Sequence, residues 1–280
     1  PTEAWPFYYA HTGSHGERWV FMDPGGELYY RLRSNDWRLA EASAGLLHTI
    51  GHCRGLFLLL HLTRGHLGSG ATGFARGMDD DERQREAEAQ KAQEEIEFFD
   101  QFLLFARALA AERGDVAKLV RRAADAGLDE ALRPYHRSPR LAAPVAVLFT
   151  QADRLAGGMD FAGVDGTYAA PQSEHFRTAP FVARNLPTLL TTLLRHARRF
   201  RFDFVQSYVE KPAAGEGLPL WSYRNEPLSV GLVPALEYLL RRSPAGGGRG
   251  TGRLAIDSRT ALRLHRLLHP RLWDGIEVDL

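Results

Sequence analysis

Cysteine is almost absent. Cys53 is the only one in 280 residues, so no disulfide can form within the chain and the fold must rest on burial. That usage fits a reducing compartment, and the expected location is the cytoplasm. Lysine is nearly as scarce, at Lys91, Lys118 and Lys211 only. None of them sits in a G-x-x-x-x-G-K-[ST] loop, so that way of cradling phosphates is missing from these residues. Net charge is small as well, with 35 basic against 34 acidic residues and a formal +1. No bulk field draws nucleic acid, which is not expected as a partner. No apolar run approaches the roughly 20 residues of a membrane-spanning helix. The longest, Gly55 to Leu60, has the length of a strand. The N-terminus lacks the charged, apolar and small-residue succession of a secretory leader. There is no G-x-S-x-G elbow either. The chain begins with Pro1 and not Met, which sets the expectation of a fragment or a processed chain.

What is present is ordinary for a globular protein, 44% hydrophobic and 25% charged residues, enough to bury a core. Aromatic-rich strands are expected at Trp5–Ala10 and Arg18–Met22, joined by the turn His11–Gly16. Helical spacing follows over 35–50. Leu56–Leu62 reads as a strand of the buried parallel kind. A Gly-rich stretch covers 65–78. A long helix is expected from about Asp81 to Arg113, charged in its first half and apolar in its second, with a shorter one from Val116 to Leu132. Pro144 opens a strand through Val145–Phe149. Residues 156–180 read as an irregular loop, Leu186–Phe200 as a helix, Phe202–Ser207 as a strand and Val230–Arg241 as a helix. The pattern predicts an α/β fold, a mostly parallel sheet with helices on both faces. A helical insertion over about 65–140 separates two core strands. The expected division is a domain over 1–241, a Gly-rich linker over 242–257 and a short helical tail over 258–280.

Ligands of such sheets bind beyond the carboxyl ends of the strands, and the polar motifs fall there. The strand ending at Met22 runs into Asp23-Pro24-Gly25-Gly26-Glu27. A carboxylate at Asp23 can hold a Mg²⁺-bound water, and Gly26 lets its N–H come close to a terminal phosphate. Glu27 can orient or polarise an attacking water. Asp-Pro-Gly-Gly is also a favourable turn in its own right. The strand Val145–Phe149 runs into Thr150-Gln151-Ala152-Asp153. Asp153 can accept from the paired N1 and N2 donors of guanine, a pair adenine lacks. Gln151 can lie flat along a purine. A plain helix N-cap at Asp153 is the competing reading.

Asp-x-x-Gly-Glu, Thr-Gln-Ala-Asp and Gln206-Ser207-Tyr208, in this order, resemble the motif series of TRAFAC-type P-loop GTPases. The strand Arg-Phe-Asp-Phe-Val-Gln-Ser-Tyr is similar to that of bacterial double-GTPase domains. The resemblance spans about residues 1–241 and omits the first strand and its P-loop. It implies a G-domain-like fold, GTP/GDP and Mg²⁺ as ligands, and a protein effector. It further implies that Asp23 and Thr2 serve the metal, Gly26 the γ-phosphate and Glu27 the water. Thr150, Gln151, Asp153 and Ser207 would serve the base. Hydrolysis would require an upstream P-loop. Without one, the alternative is a pseudo-GTPase acting as a protein-interaction module.

Gly247–Arg253 has glycine spacing like a phosphate loop, but it follows a helix and carries Arg for Lys, so a flexible linker is the better reading. Arg195, His196, Arg198, Arg199 and Arg201 form a basic cluster, expected to be a helix face paired with acidic neighbours. The histidines show no metal-ligand spacing. Cys53 reads as a buried hydrophobe.

Overall fold

A computed structural model describes residues 7–12, 18–23, 50–61, 82–150, 175–205, 235–236, 238–239 and 257–280. The described part is mixed α/β. The chain divides into two compact units, one of Pro1–Cys53 with Phe102–Pro139 and one of Arg54–Gln101 with Arg140–Leu280. No helix among the described residues is long and apolar enough to cross a membrane.

The first unit holds an antiparallel pair, β1 (Phe7–Thr12) and β2 (Arg18–Asp23), with Phe7 opposite Asp23 and Thr12 opposite Arg18. It also holds the end of a 30-residue helix, α1 (Glu82–Ala111), and two shorter helices, α2 (Val116–Ala126) and α3 (Leu128–Leu132). A 3-10 turn at Arg133–Arg137 follows. Leu103, Leu109, Leu119 and Leu132 are buried here, as the apolar second half of α1 requires. The helix stops because Gly114 takes φ +76° and its N–H returns to the Leu109 carbonyl at 2.8 Å. Asp115 then caps α2 by accepting from the Lys118 N–H. The sequence reading ran one helix through to Leu132. Gly127, at φ +83°, breaks it, since that backbone region suits glycine and disfavours residues with a Cβ.

The second unit is built on a parallel three-stranded sheet in the order β3 (Leu56–His61), β4 (Val145–Thr150), β5 (Phe200–Val205). Val145 to Phe149 of the central strand are all buried, the pattern of a strand covered on both faces. On one face Phe149 stacks on Phe202 at 6.0 Å between ring centres, and Phe200 meets Phe202 edge-on at 5.6 Å. On the other, Ala146 and Leu148 pack with Ala235 and Leu239, flanked by Phe57 and Tyr238. Between β3 and β4 the chain makes α1 to α3, the expected helical interruption of the core strands.

Between β4 and β5 lie α4 (His175–Asn185) and α5 (Pro187–His196). The expected loop over 156–180 therefore gives way to helix from His175, which continues through Pro180 with Ala179, Val182 and Ala183 buried. The helix expected over Leu186–Phe200 starts at Pro187 and ends at His196. Leu186 is not helical, at φ −132° and ψ 53°, because the residue before proline is driven away from helical backbone, and Pro187 then suits the first helical position. Strand β5 starts at Phe200, where apolar and charged residues begin to alternate through Phe200, Arg201, Phe202, Asp203 and Phe204.

The C-terminal segment forms α6 (Ser258–Leu268) and a 3-10 turn, Pro270–Trp273. It is tied to the start of β5. Ser258 N–H donates to the Arg198 carbonyl, and Ser258 Oγ accepts from the Phe200 N–H at 2.9 Å.

Candidate functional site

Parallel pairing sets His61, Thr150 and Val205 side by side at the carboxyl edge of the second unit's sheet. Thr150 ends the central strand half-buried, with its hydroxyl 3.5 Å from the Leu60 carbonyl. Gln151 and Asp153 follow it within three residues, and Ser207 stands two residues beyond Val205. Thr150 is thus the one candidate residue that the described part sets at this edge. In the other unit, Asp23 is the last residue of β2, which pairs antiparallel with β1 in a separate sheet, so the expectation that both motifs follow strands of one parallel sheet does not hold for Asp23. Of the candidate residues, the described part holds Thr150 and the strand end at Asp23. Thr2, Gly26, Glu27, Gln151, Asp153 and Ser207 lie outside it.

The frame beneath that edge contains polar groups that fix the strands and helices. Asp203 of β5 is fully buried and takes a two-pronged contact from Arg201, at 2.7 and 2.8 Å. The Arg201 guanidinium lies 5.9 Å from the centre of the Tyr238 ring. A buried carboxylate needs such a partner, because an unpaired one is very costly away from water.

A second cluster joins α1 to α5. Asp100 Oδ1 lies 3.0 Å from His196 Nε2, 3.1 Å from Arg195 Nη1 and 3.2 Å from Thr192 Oγ1. His196 is fully buried and Thr192 nearly so. Burial by itself raises the Asp100 pKa. The hydrogen bond and charge of His196, the charge of Arg195 and the Thr192 hydroxyl outweigh it and hold the carboxyl below its ordinary range.

These contacts account for the basic cluster read from the sequence. Arg195 and His196 serve Asp100, Arg198 approaches Asp257 at 3.9 Å, Arg199 donates to the Ala142 carbonyl and Arg201 holds Asp203. Only Arg195 and His196 belong to α5, which ends there, while Arg198 and Arg199 follow it and Arg201 lies in β5, so the expected single helix face is instead a set of residues paired separately. Asp100 was not singled out from sequence. Its signal was a lone carboxylate among Ile96, Phe99 and Leu103, where the helical period calls for apolar residues.

The first unit has its own polar knot. Tyr135 donates to Glu112, and Arg122 donates to the Tyr135 hydroxyl at 2.6 Å. Lys118 pairs with Glu112. Desolvation and the Glu112 carboxylate push the Tyr135 hydroxyl up to about 12. Hydrogen bonds from Lys118 and Tyr135 hold Glu112 below the usual carboxylate range. This knot staples the α1 end to α2 and the 3-10 turn.

Among the described residues no three His, Cys, Asp or Glu side chains gather into a metal cage. Mg²⁺ does not need one. It keeps several waters and is held by one or two carboxylates together with substrate phosphates. A single strand-end carboxylate such as Asp23 suits that donor set. No protein-family model, curated protein or solved structure matches the chain.

Proposed function

We propose that this chain is the guanine-nucleotide-binding part of a GTPase-type switch. The observation that carries the reading is the register of the parallel sheet, which aligns Thr150 with Val205. The Thr-Gln-Ala-Asp and Gln-Ser-Tyr segments thus follow neighbouring strands at one carboxyl edge, the binding edge of open α/β sheets.

In this reading Asp153 accepts from the guanine N1 and N2 groups, Gln151 lies along the purine, and Thr150 and Ser207 line the base. For the first unit, the resemblance by itself assigns Asp23 and Thr2 to Mg²⁺, Gly26 to the γ-phosphate and Glu27 to the attacking water. Bound Mg²⁺ supplies neutralisation of the β- and γ-phosphate charge. Hydrolysis further needs a phosphate cradle with a lysine. The outer edge of β3, which pairs with no strand among the described residues, is where a strand carrying that cradle would join. The helices between β3 and β4 then offer a surface to a protein effector.

The test replaces the base-reading carboxylate. In the full-length gene product, Asp153→Asn is expected to shift preference from GTP toward xanthosine triphosphate by tenfold or more, about 1.4 kcal/mol. An unchanged preference removes the base-reading role.

A further inference from the structure

The turn that follows α6 is fastened to the helix by a hydrogen bond whose direction is fixed by chemistry. Trp273 Nε1 lies 3.0 Å from His265 Nδ1. An indole N–H can only donate, so Nδ1 accepts and the imidazole carries its single proton on Nε2. The two rings meet edge-on, 6.1 Å between centres and 68° apart. Trp273 is 3% exposed, while His265, in the last turn of α6, is half-buried and open to protons from solvent. Leu272 N–H donates to the His269 carbonyl and Ile276 N–H to the Trp273 carbonyl, both at 3.1 Å. Beyond the turn, residues 274–280 are held by arginines. Arg263 donates to the Leu280 carbonyl at 2.6 Å, and Arg266 donates to the Val278 and Ile276 carbonyls at 3.1 and 3.3 Å.

We propose that His265 is a proton-sensitive catch for the turn Pro270–Trp273. Neutral, it accepts the Trp273 N–H and keeps that ring buried against α6. Protonated, it carries a hydrogen on both ring nitrogens, so a donor faces a donor. The indole N–H then has no acceptor in a buried place, and the turn leaves α6 to hydrate it. Histidine is the side chain whose charge ordinarily changes between about pH 5 and 8. The fixed charges around it are of both signs. The carbonyl end of α6 and the acids Asp274, Glu277 and Asp279 favour a cation. His269, with its ring 4.7 Å away, opposes one when charged, as do Arg259, Arg263 and Arg266 of α6 and Arg271 of the turn. Arg184 reaches from α4 to the Asp274 carbonyl at 3.3 Å. With both signs present, the donor reversal at Nδ1 decides the outcome. The release stays local, because arginine keeps its charge and its hold on the carbonyls beyond the turn.

The experiment is ¹⁹F NMR of the full-length protein labelled with 5-fluorotryptophan, titrated from about pH 8 to about pH 5. The Trp273 signal is the one missing from Trp273→Phe. In the wild type it is expected to move in one step from a buried to a solvent-like position, with the far-UV circular dichroism spectrum unchanged. His265→Asn keeps a side-chain acceptor near the Nδ1 position and cannot titrate, so its Trp273 signal is expected to show no step. His269→Gln is expected to keep the step, which separates the two imidazoles. A wild-type signal that stays in place over the whole range overturns the proposal. So does a step that survives in His265→Asn, a step lost in His269→Gln, or a step that coincides with loss of the circular dichroism signal. The readout is a tryptophan environment, so it is independent of nucleotide binding.

Discussion

Strands β3 and β4 read alike and are used differently. Leu-Phe-Leu-Leu-Leu and Val-Ala-Val-Leu-Phe are both unbroken apolar runs. In β4 all five residues are buried, between a parallel neighbour on each side. In β3 Leu58 and Leu60 are buried, while Leu59 is 60% exposed, and the strand has one neighbour among the described residues. Apolar composition makes both segments strands. Their neighbours decide which one is interior. An edge strand with the composition of an interior one is a template for further pairing.

The largest expected effect comes from breaking the interior strand. Phe149→Ala removes a buried ring that stacks on Phe202, and urea unfolding is expected to show a loss of about 3–5 kcal/mol. Next, Asp100→Ala leaves His196 and Thr192 buried without their shared acceptor, at a cost of about 1–3 kcal/mol. The Asp100 pKa is depressed, so the stability this carboxylate contributes is present above its ordinary value of 3.8 and lost as pH falls through the lower folded value. Asp100→Asn should flatten that acid limb, and an unchanged limb would mean the contacts do not govern it. At the alkaline end, the raised Tyr135 pKa means that stability is complete below its ordinary value of 10 and falls as pH rises toward about 12. Tyr135→Phe should abolish that decline, as read by urea midpoints across the range. The smallest effect sharpens the comparison itself. Leu59→Ala should change stability by no more than about 0.5 kcal/mol. A cost near that of Phe149→Ala would show that the outer face of β3 is covered.

Much of the fold was legible because its signals are local. The apolar runs at Leu56 and Val145 marked two strands of the parallel sheet, and the apolar stripe through Ile96, Phe99 and Leu103 marked α1. Some boundaries moved where one residue's backbone preference decides, at Gly127 and at Leu186 before Pro187, and one at Phe200 where the period changes; the helix from His175 was hidden by Pro180 and its polar neighbours, and the pairing of β2 in a separate sheet left no local signal. At the candidate site, the sequence placed Thr150 correctly at the end of its strand. It did not bring Asp100 to its partners, because Thr192 and His196 lie 92 and 96 residues further along the chain. Only the packing of α1 against α5 makes them neighbours, and no spacing rule reaches that far.

Guanine selectivity, as proposed, arises at the carboxyl edge beyond Thr150 and Val205. Isothermal titration of the full-length gene product with GTP and with ATP, in the presence of Mg²⁺, tests it most directly. GTP is expected to bind at least tenfold more tightly than ATP, and Asp153→Asn to abolish the difference. Equal affinities, or no binding of either nucleotide, would contradict it.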